Sequence, residues 1–128
     1  MAKPDVPYRQ LWVSFVVALN RETQEGRLKW SVEDQPDLRS SDVQRFGPVY
    51  ITEAQRALIR LYKENIKNIG DEISEGFWDE DVVLEVKPYG DGDYIRVPRL
   101  PGLDDLYETV VYKTHNVEEF LRRFLEKA

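Results

Sequence analysis

Few residues in this chain have the chemistry of a catalytic centre, and the single histidine, His115, is the first to consider. A lone histidine lacks the second ligand that most metal sites need, and no serine partner for a general base can be assigned from spacing. His115 lies beside Asn116 at a break between two helical segments, where its ring can interact with terminal carbonyls or with the helix dipole. A structural role is therefore favoured, and no catalytic residue is predicted.

The densest cluster of ionisable side chains lies in residues 71–81: Asp71, Glu72, Glu75, Asp79, Glu80 and Asp81. Oxygen ligands of this kind bind calcium or magnesium, and the spacing of Asp79 and Asp81 can project two carboxylates together. This cluster supports an alternative function, a small metal-dependent hydrolase that uses the acidic 71–81 loop. The EF-hand pattern is absent, however, and neighbouring carboxylates in a loop are usually hydrated, so we predict no metal ligand and no cofactor.

A role in nucleic-acid binding rests on four basic residues that are close in sequence: Arg56, Arg60, Lys63 and Lys67. The net charge of −6 repels phosphate backbones, and acidic residues surround these four side chains. No glycine-rich phosphate-binding loop is present. The three tryptophans, Trp12, Trp30 and Trp78, suit a core better than a base-stacking platform. Nucleic-acid binding is accordingly disfavoured.

The composition indicates one domain over residues 1–128. An apolar fraction of 41% is ample for a core without metal or disulfide. The chain has no cysteine, which excludes disulfides, thiolate zinc sites and cysteine nucleophiles. The longest apolar run is far shorter than the about 20 residues of a membrane span, and no secretion signal is recognisable. We expect a cytoplasmic protein with no membrane partner.

Helical periodicity is clearest towards the two ends of the chain. Residues 8–25 are predicted to form a helix, since apolar side chains recur at helical spacing and Gly26 can cap the end. Two further helices are predicted over residues 103–113 and Val117–Lys127. A capping box that begins at Asn116 opens the last helix.

Alternating polarity between these helices predicts about five strands. Residues 28–32 and 82–86 alternate apolar and polar side chains, as half-buried strands do. Residues 34–47 are rich in turn formers and are predicted to be a loop. Residues 90–93 are predicted to form a hairpin turn that leads into a return strand over 94–97. The prediction is an α+β fold: an N-terminal helix, an antiparallel sheet of about five strands, and two C-terminal helical segments packed on one face.

Residues 48–66 admit two interpretations. The alternation around Ile59 favours a hairpin, in which Ile59 joins a core row. A capping box over residues 52–55 favours a helix instead, which would leave Ile59 exposed. We prefer the hairpin because it buries Ile59.

Three stretches of sequence, taken in order, carry a resemblance: Leu19, Thr23, Gly26, Leu28 and Trp30; then Phe77, Trp78, Val82, Leu84, Glu85 and Val86; then Leu103, Leu106, Tyr107 and Glu108. The chain resembles small uncharacterised bacterial and mobile-element domains that have a helix, an antiparallel meander and C-terminal helices. These are packing motifs, and the resemblance covers most of the chain loosely. It implies the fold and the hairpin over 48–66, and it implies no activity or functional residue.

The last helix is the best candidate for a binding surface. Its apolar side holds Phe120, Leu121, Phe124 and Leu125, which is much apolar surface for a terminal helix of about three turns. This side can pack on the domain's own sheet, or it can dock against a second copy or in a partner's groove. We therefore predict a non-enzymatic protein-interaction domain that binds a protein partner or self-associates, including as a homodimer.

Overall fold

The structure is a computed structural model that describes residues 8–33, 43–67, 78–89 and 92–128. Its elements, in chain order, are α1 (Arg9–Gln24), β1 (Ser31–Glu33), β2 (Val43–Ala54), β3 (Ala57–Lys67), β4 (Trp78–Pro88), β5 (Ile95–Arg96), α2 (Leu103–Thr114) and α3 (Val117–Lys127). The strands form one antiparallel sheet in the order β1-β2-β3-β4-β5. The predicted α+β fold, with its N-terminal helix, five-stranded antiparallel sheet and two C-terminal helices, is confirmed.

The main core lies between one face of this sheet and the helices α1 and α2. Strand alternation sends Ile59 and Leu61 of β3, together with Leu84 of β4, to this face. Helix α1 contributes Val16, and α2 contributes Leu106, which is completely buried. Helix α3 buries none of its residues, so the packed helical layer consists of α1 and α2.

The end of α1 is fixed by backbone and side-chain hydrogen bonds. Gly26 has a φ of 79°, and its N–H bonds the carbonyl of Thr23 at 3.1 Å, while the Arg27 N–H bonds that of Glu22 at 3.0 Å. This is a Schellman cap, as predicted for Gly26. The buried Thr23 hydroxyl donates to the carbonyl of Leu19 at 2.7 Å and accepts from Nε1 of Trp30 at 3.0 Å. The helix end is thereby tied to the segment that enters β1.

The hairpin interpretation of residues 48–66 is correct, and the helical alternative is wrong. Strands β2 and β3 pair from Ala54 with Ala57 outward, and Ile59 is buried in the core. The two turn residues, Gln55 and Arg56, have φ values of 51° and 61°. Two consecutive positive φ angles are characteristic of a type I′ turn, whose twist matches that of the flanking strands.

Several predicted boundaries change. Residues 43–47, expected in the 34–47 loop, belong to β2, because they pair with β3 beyond an irregularity between Phe46 and Tyr50. The strand predicted over 28–32 is found as the shorter β1, and the return strand over 94–97 as β5. Residues 34–42, 68–77 and 90–91 lie outside the described part of the chain, so the rest of that loop and the predicted turn at 90–93 are not tested there.

The strained hairpin turn generates a stability prediction. The double substitution Gln55→Asn with Arg56→Gly introduces the residues that tolerate positive φ best, so we expect the free energy of unfolding to rise by about 1 kcal/mol. The backbone bond from Tyr89 N–H to the Arg56 carbonyl, at 2.9 Å, needs no side chain at the turn. Urea denaturation measures the change. As a matched control, Ala57→Gly in the adjoining strand should lower stability by about 0.5–1 kcal/mol, and a turn variant that behaves like this control would contradict the prediction.

Candidate functional site

The apolar side of α3 remains uncovered by the rest of the described chain. The exposed fractions are 63% for Phe120, 48% for Leu121, 64% for Phe124 and 70% for Leu125. The two phenylalanine rings lie side by side, with centroids 6.3 Å apart and planes tilted by 32°. Of the three helices described, α3 is the most strongly amphipathic. The structure therefore brings the four predicted interaction residues together on one exposed surface, which we call the α3 face.

Two charge pairs outside the apolar side of α3 support the helix. Arg122 contacts Glu118 at 3.0 Å and Arg123 contacts Glu119 at 2.5 Å, both at i,i+4 spacing that supports a helix. Asn116 adopts a left-handed conformation with a φ of 52° and makes no side-chain cap hydrogen bond. The predicted capping box is thus wrong, because Glu119 is engaged by Arg123 instead. Helix α3 is joined to the domain mainly through its contacts with α2.

A second uncovered apolar feature is a groove of about 640 Å³ between α1 and the β2–β3 hairpin. Its apolar lining includes the half-buried Phe15, Ala18, Ala57 and Val86. Leu19 and Ile59 also line it but are buried in the core. The exposed charged residues Arg21 on α1 and Glu53 on β2 lie on its two sides. Neither makes a salt bridge with another described residue, whereas Arg27, also at the groove, pairs with Glu22 at 2.6 Å. We call this feature the hairpin groove.

A polar network occupies the face of the sheet opposite the helices. Arg60 Nε donates to Glu85 Oε1 at 2.6 Å, and the Tyr62 hydroxyl donates to the same oxygen at 3.1 Å. Arg96 binds Glu64 in a bidentate manner, at 2.9 and 3.1 Å. Glu64 is only 2% exposed, whereas the Arg96 side chain remains about half exposed at 54%. Each of these two buried carboxylates is thus matched by a guanidinium.

The chemistry of this network is that of paired ions. Burial, reinforced by the charge of Glu85, raises the pKa of Tyr62 to about 12, so the phenol stays neutral and donates a hydrogen bond to the carboxylate. The Arg60 guanidinium also stacks on Tyr94, with Cζ 3.7 Å from the ring centroid. The donors of the network are matched by acceptors within it. We therefore interpret the network as a set of contacts that hold β3, β4 and β5 in place relative to one another.

His115 has a structural partner that the sequence did not indicate. Its Nε2 lies 2.9 Å from the hydroxyl of Tyr50, and the two rings meet edge to face with centroids 5.7 Å apart. Burial raises the pKa of Tyr50, which keeps its hydroxyl protonated. His115 therefore links the end of α2 to β2 across the core, which agrees with the structural role favoured from the sequence but through a different contact.

The acidic cluster is only partly within the described residues. Asp71, Glu72 and Glu75 lie outside them, and residues 79–81 belong to β4 instead of the predicted loop. Asp81 pairs with Arg99. In the described ranges, no group of three or more histidine, cysteine or carboxylate side chains is arranged to hold a metal ion.

Three of the four candidate nucleic-acid side chains are described, and these do not form one surface. The side chain of Lys67 lies outside the described part of the chain. Arg56 lies at the exposed hairpin turn, and Arg60 is buried against Glu85. Lys63 is on the helix face, with Nζ 5.0 Å from the ring centroid of Tyr107. The three residues are separated because Arg60 and Lys63 are three positions apart on a strand and so project to opposite faces.

Within the described helices, none is long and apolar enough to cross a membrane.

Two features were missed at the level of sequence. The polar network has a visible signal, since Arg60, Tyr62 and Glu64 alternate along β3 and mark one face. Their partners Glu85 and Arg96 can be identified only once the strand order is known. The hairpin groove combines three separate parts of the chain, and no local pattern indicates it.

The raised pKa of Tyr62 generates a prediction for alkaline pH. Because the neutral phenol is favoured in the folded state, its contribution to stability is complete below pH 10 and is lost as the pH rises towards 12. Tyr62→Phe should cost about 1 kcal/mol near neutral pH through the lost hydrogen bond, but its free energy of unfolding should fall less steeply over that alkaline range. Urea titrations at several pH values measure both slopes. Tyr112→Phe, at an exposed position of α2, is the control, and equal slopes for Tyr62→Phe and wild type would refute the prediction.

Comparisons with known proteins do not indicate a function for this chain. The chain matches no protein-family model, no curated protein and no solved structure. The α3 face, the hairpin groove and the polar network are therefore interpreted by their own chemistry, and of the three the α3 face has the most apolar surface that the described chain leaves uncovered.

Proposed function

We propose that this chain is a non-enzymatic protein-interaction domain that forms a homodimer through the α3 face. The observation that carries the proposal is the exposure of all four apolar side chains of that face. Exposed apolar surface that is contiguous and bordered by charge is typical of interaction sites. The two i,i+4 charge pairs of α3 lie away from the centre of its apolar side and give the helix a small additional stabilisation.

The size of the α3 face supports a symmetric partner. Since a fully exposed large apolar side chain presents roughly 150–250 Å², the observed fractions correspond to roughly 450 Å² of apolar surface. A stable interface buries about 800 Å² on each partner. If α3 inserted into a partner and the chain made no other contact, the chain would bury only about half of the area that a stable interface needs on each side.

A second copy of the chain meets this requirement by symmetry. In a two-fold dimer each copy both donates α3 and receives the α3 of its partner, so both surfaces are buried on each copy. Reciprocal exchange adds the receiving surface of each copy to this area, so a two-fold dimer buries more on each copy than a one-sided contact does. The partner we propose is accordingly another copy of this chain.

We propose that the chain acts in a reducing compartment, the cytoplasm. The chain has no cysteine, so its association cannot depend on a disulfide. Apolar burial and exposed ion pairs need no oxidising conditions, so the proposed dimer can form in such a compartment.

The dimer is tested by light scattering on the purified chain. Wild type should show twice the mass of one chain, and Phe124→Asp should raise the dimer dissociation constant by roughly thirtyfold or more, because a central aromatic anchor contributes about 2 kcal/mol. The variant should retain the folded core of the domain, measured by near-ultraviolet circular dichroism, since α3 buries no residue within the domain. Phe120→Asp should act in the same direction.

The matched control is Glu126→Lys, which changes charge on the side of α3 opposite the apolar residues. This variant should keep the dimeric mass of wild type. A wild-type chain that is folded and monomeric at hundreds of micromolar would contradict the proposed function.

A further inference from the structure

We infer that the hairpin groove is the surface that receives α3 of the second copy. This inference rests on the proposed function and names the acceptor surface of the same dimer. Each copy would insert its α3 face into the groove between α1 and the β2–β3 hairpin of the other. The interface then consists of two identical helix-in-groove contacts related by a two-fold axis.

The apolar surfaces are matched in chemistry. The groove encloses about 640 Å³ and is lined by side chains such as Phe15, Ala18 and Ile59. Small residues on both walls, Ala18 on α1 and Ala57 on β3, leave room for large side chains from outside. The α3 face offers large side chains, among them the adjacent rings of Phe120 and Phe124. Large side chains opposite small ones allow close packing at the alanine positions of the groove.

The charges are complementary along both edges. On α3, helical geometry puts Lys127 beside Phe120 at one edge of the apolar side and Glu118 beside Leu125 at the other. The groove has Glu53 on its hairpin wall and Arg21 on its helix wall. Lys127 and Glu53 each lack a salt bridge to any other described residue, so both are available to pair across the interface. This arrangement fixes the direction of α3 within the groove, with Lys127 towards Glu53.

The same charges argue against one alternative, antiparallel pairing of α3 with α3 of the second copy. In an antiparallel helix pair, equivalent edges face each other. The edge of one helix that contains Lys127, next to the Glu119-paired Arg123, would then face the same edge of the other, which offers no unpaired carboxylate. The hairpin groove instead offers an acidic residue to that edge.

Introduced cysteines test the seating directly because the natural chain has none. Leu121→Cys or Leu125→Cys is combined with Ala18→Cys or Ala57→Cys in one chain, the protein is oxidised mildly, and covalent dimer is measured on non-reducing gels. Disulfides require the two Cα atoms to approach within about 7 Å. At least one of these four pairs should form severalfold more covalent dimer than Leu121→Cys or Leu125→Cys combined with Glu108→Cys, a control at an exposed position on α2 outside the groove.

A charge exchange tests the direction of α3 in the groove. Glu53→Lys and Lys127→Glu should each weaken the dimer roughly tenfold, because each substitution removes both symmetry-related exposed ion pairs. The double variant Glu53→Lys with Lys127→Glu should recover the wild-type dissociation constant, measured by sedimentation equilibrium. Absence of recovery in the double variant overturns the inferred seating.

The outcomes separate this inference from the proposed function. If the chain dimerises and Phe124→Asp dissociates it, but the α3 cysteines alone cross-link as well as the groove pairs, α3 contacts α3 and the inference fails while the proposed function stands. Cross-linked chains that run as monomers would show that α3 reaches its own groove, which also overturns the inference. A wild-type monomer in light scattering removes both.

Discussion

Strand β3 is hydrogen-bonded to β2 on one side and to β4 on the other, and this double pairing fixes the direction of its side chains. A strand paired along both edges must alternate its residues between the two faces of the sheet. Ile59 and Leu61 therefore enter the helix-covered core, while Arg60 and Glu64 enter the polar network. A shift of one residue would exchange the two sets and bury charge against the helices. The register is thus specified from both faces at once.

The polar network supports this register through selectivity more than through net stability. Removing charged groups from water costs several kcal/mol per ion, which a buried pair recovers only with good geometry. The bidentate contact of Arg96 with Glu64 and the two hydrogen bonds to Glu85 supply that geometry. In a shifted pairing these carboxylates would be buried without their partners, which is far more costly than the native pair. We interpret the network as a device that penalises incorrect strand pairing.

Local patterns predicted the elements well wherever one signal dominated. Gly26 indicated the end of α1, and the alternation over 82–86 indicated β4. The hairpin over 48–66 was harder because its turn uses Gln55 and Arg56 at positive φ, where asparagine and glycine are the usual signal. Residues 43–47 look like a loop, yet pairing with β3 supplies the hydrogen bonds of a strand. The four residues of the α3 face could be predicted, but their exposure could not, since exposure depends on which other helices cover the sheet.

The position of α3 follows from how α2 ends. Helix α2 occupies the helix face of the sheet beside α1, and His115 holds its end to Tyr50 of β2. The chain then turns through the left-handed Asn116, so α3 leaves the sheet instead of covering it. A helix of 11 residues is marginal by itself, because isolated helices shorter than about 12–15 residues are barely stable in water. The i,i+4 charge pairs add only a few tenths of a kcal/mol each. Covering the apolar side of α3 therefore stabilises the helix as well as the contact, and binding and helix formation reinforce each other.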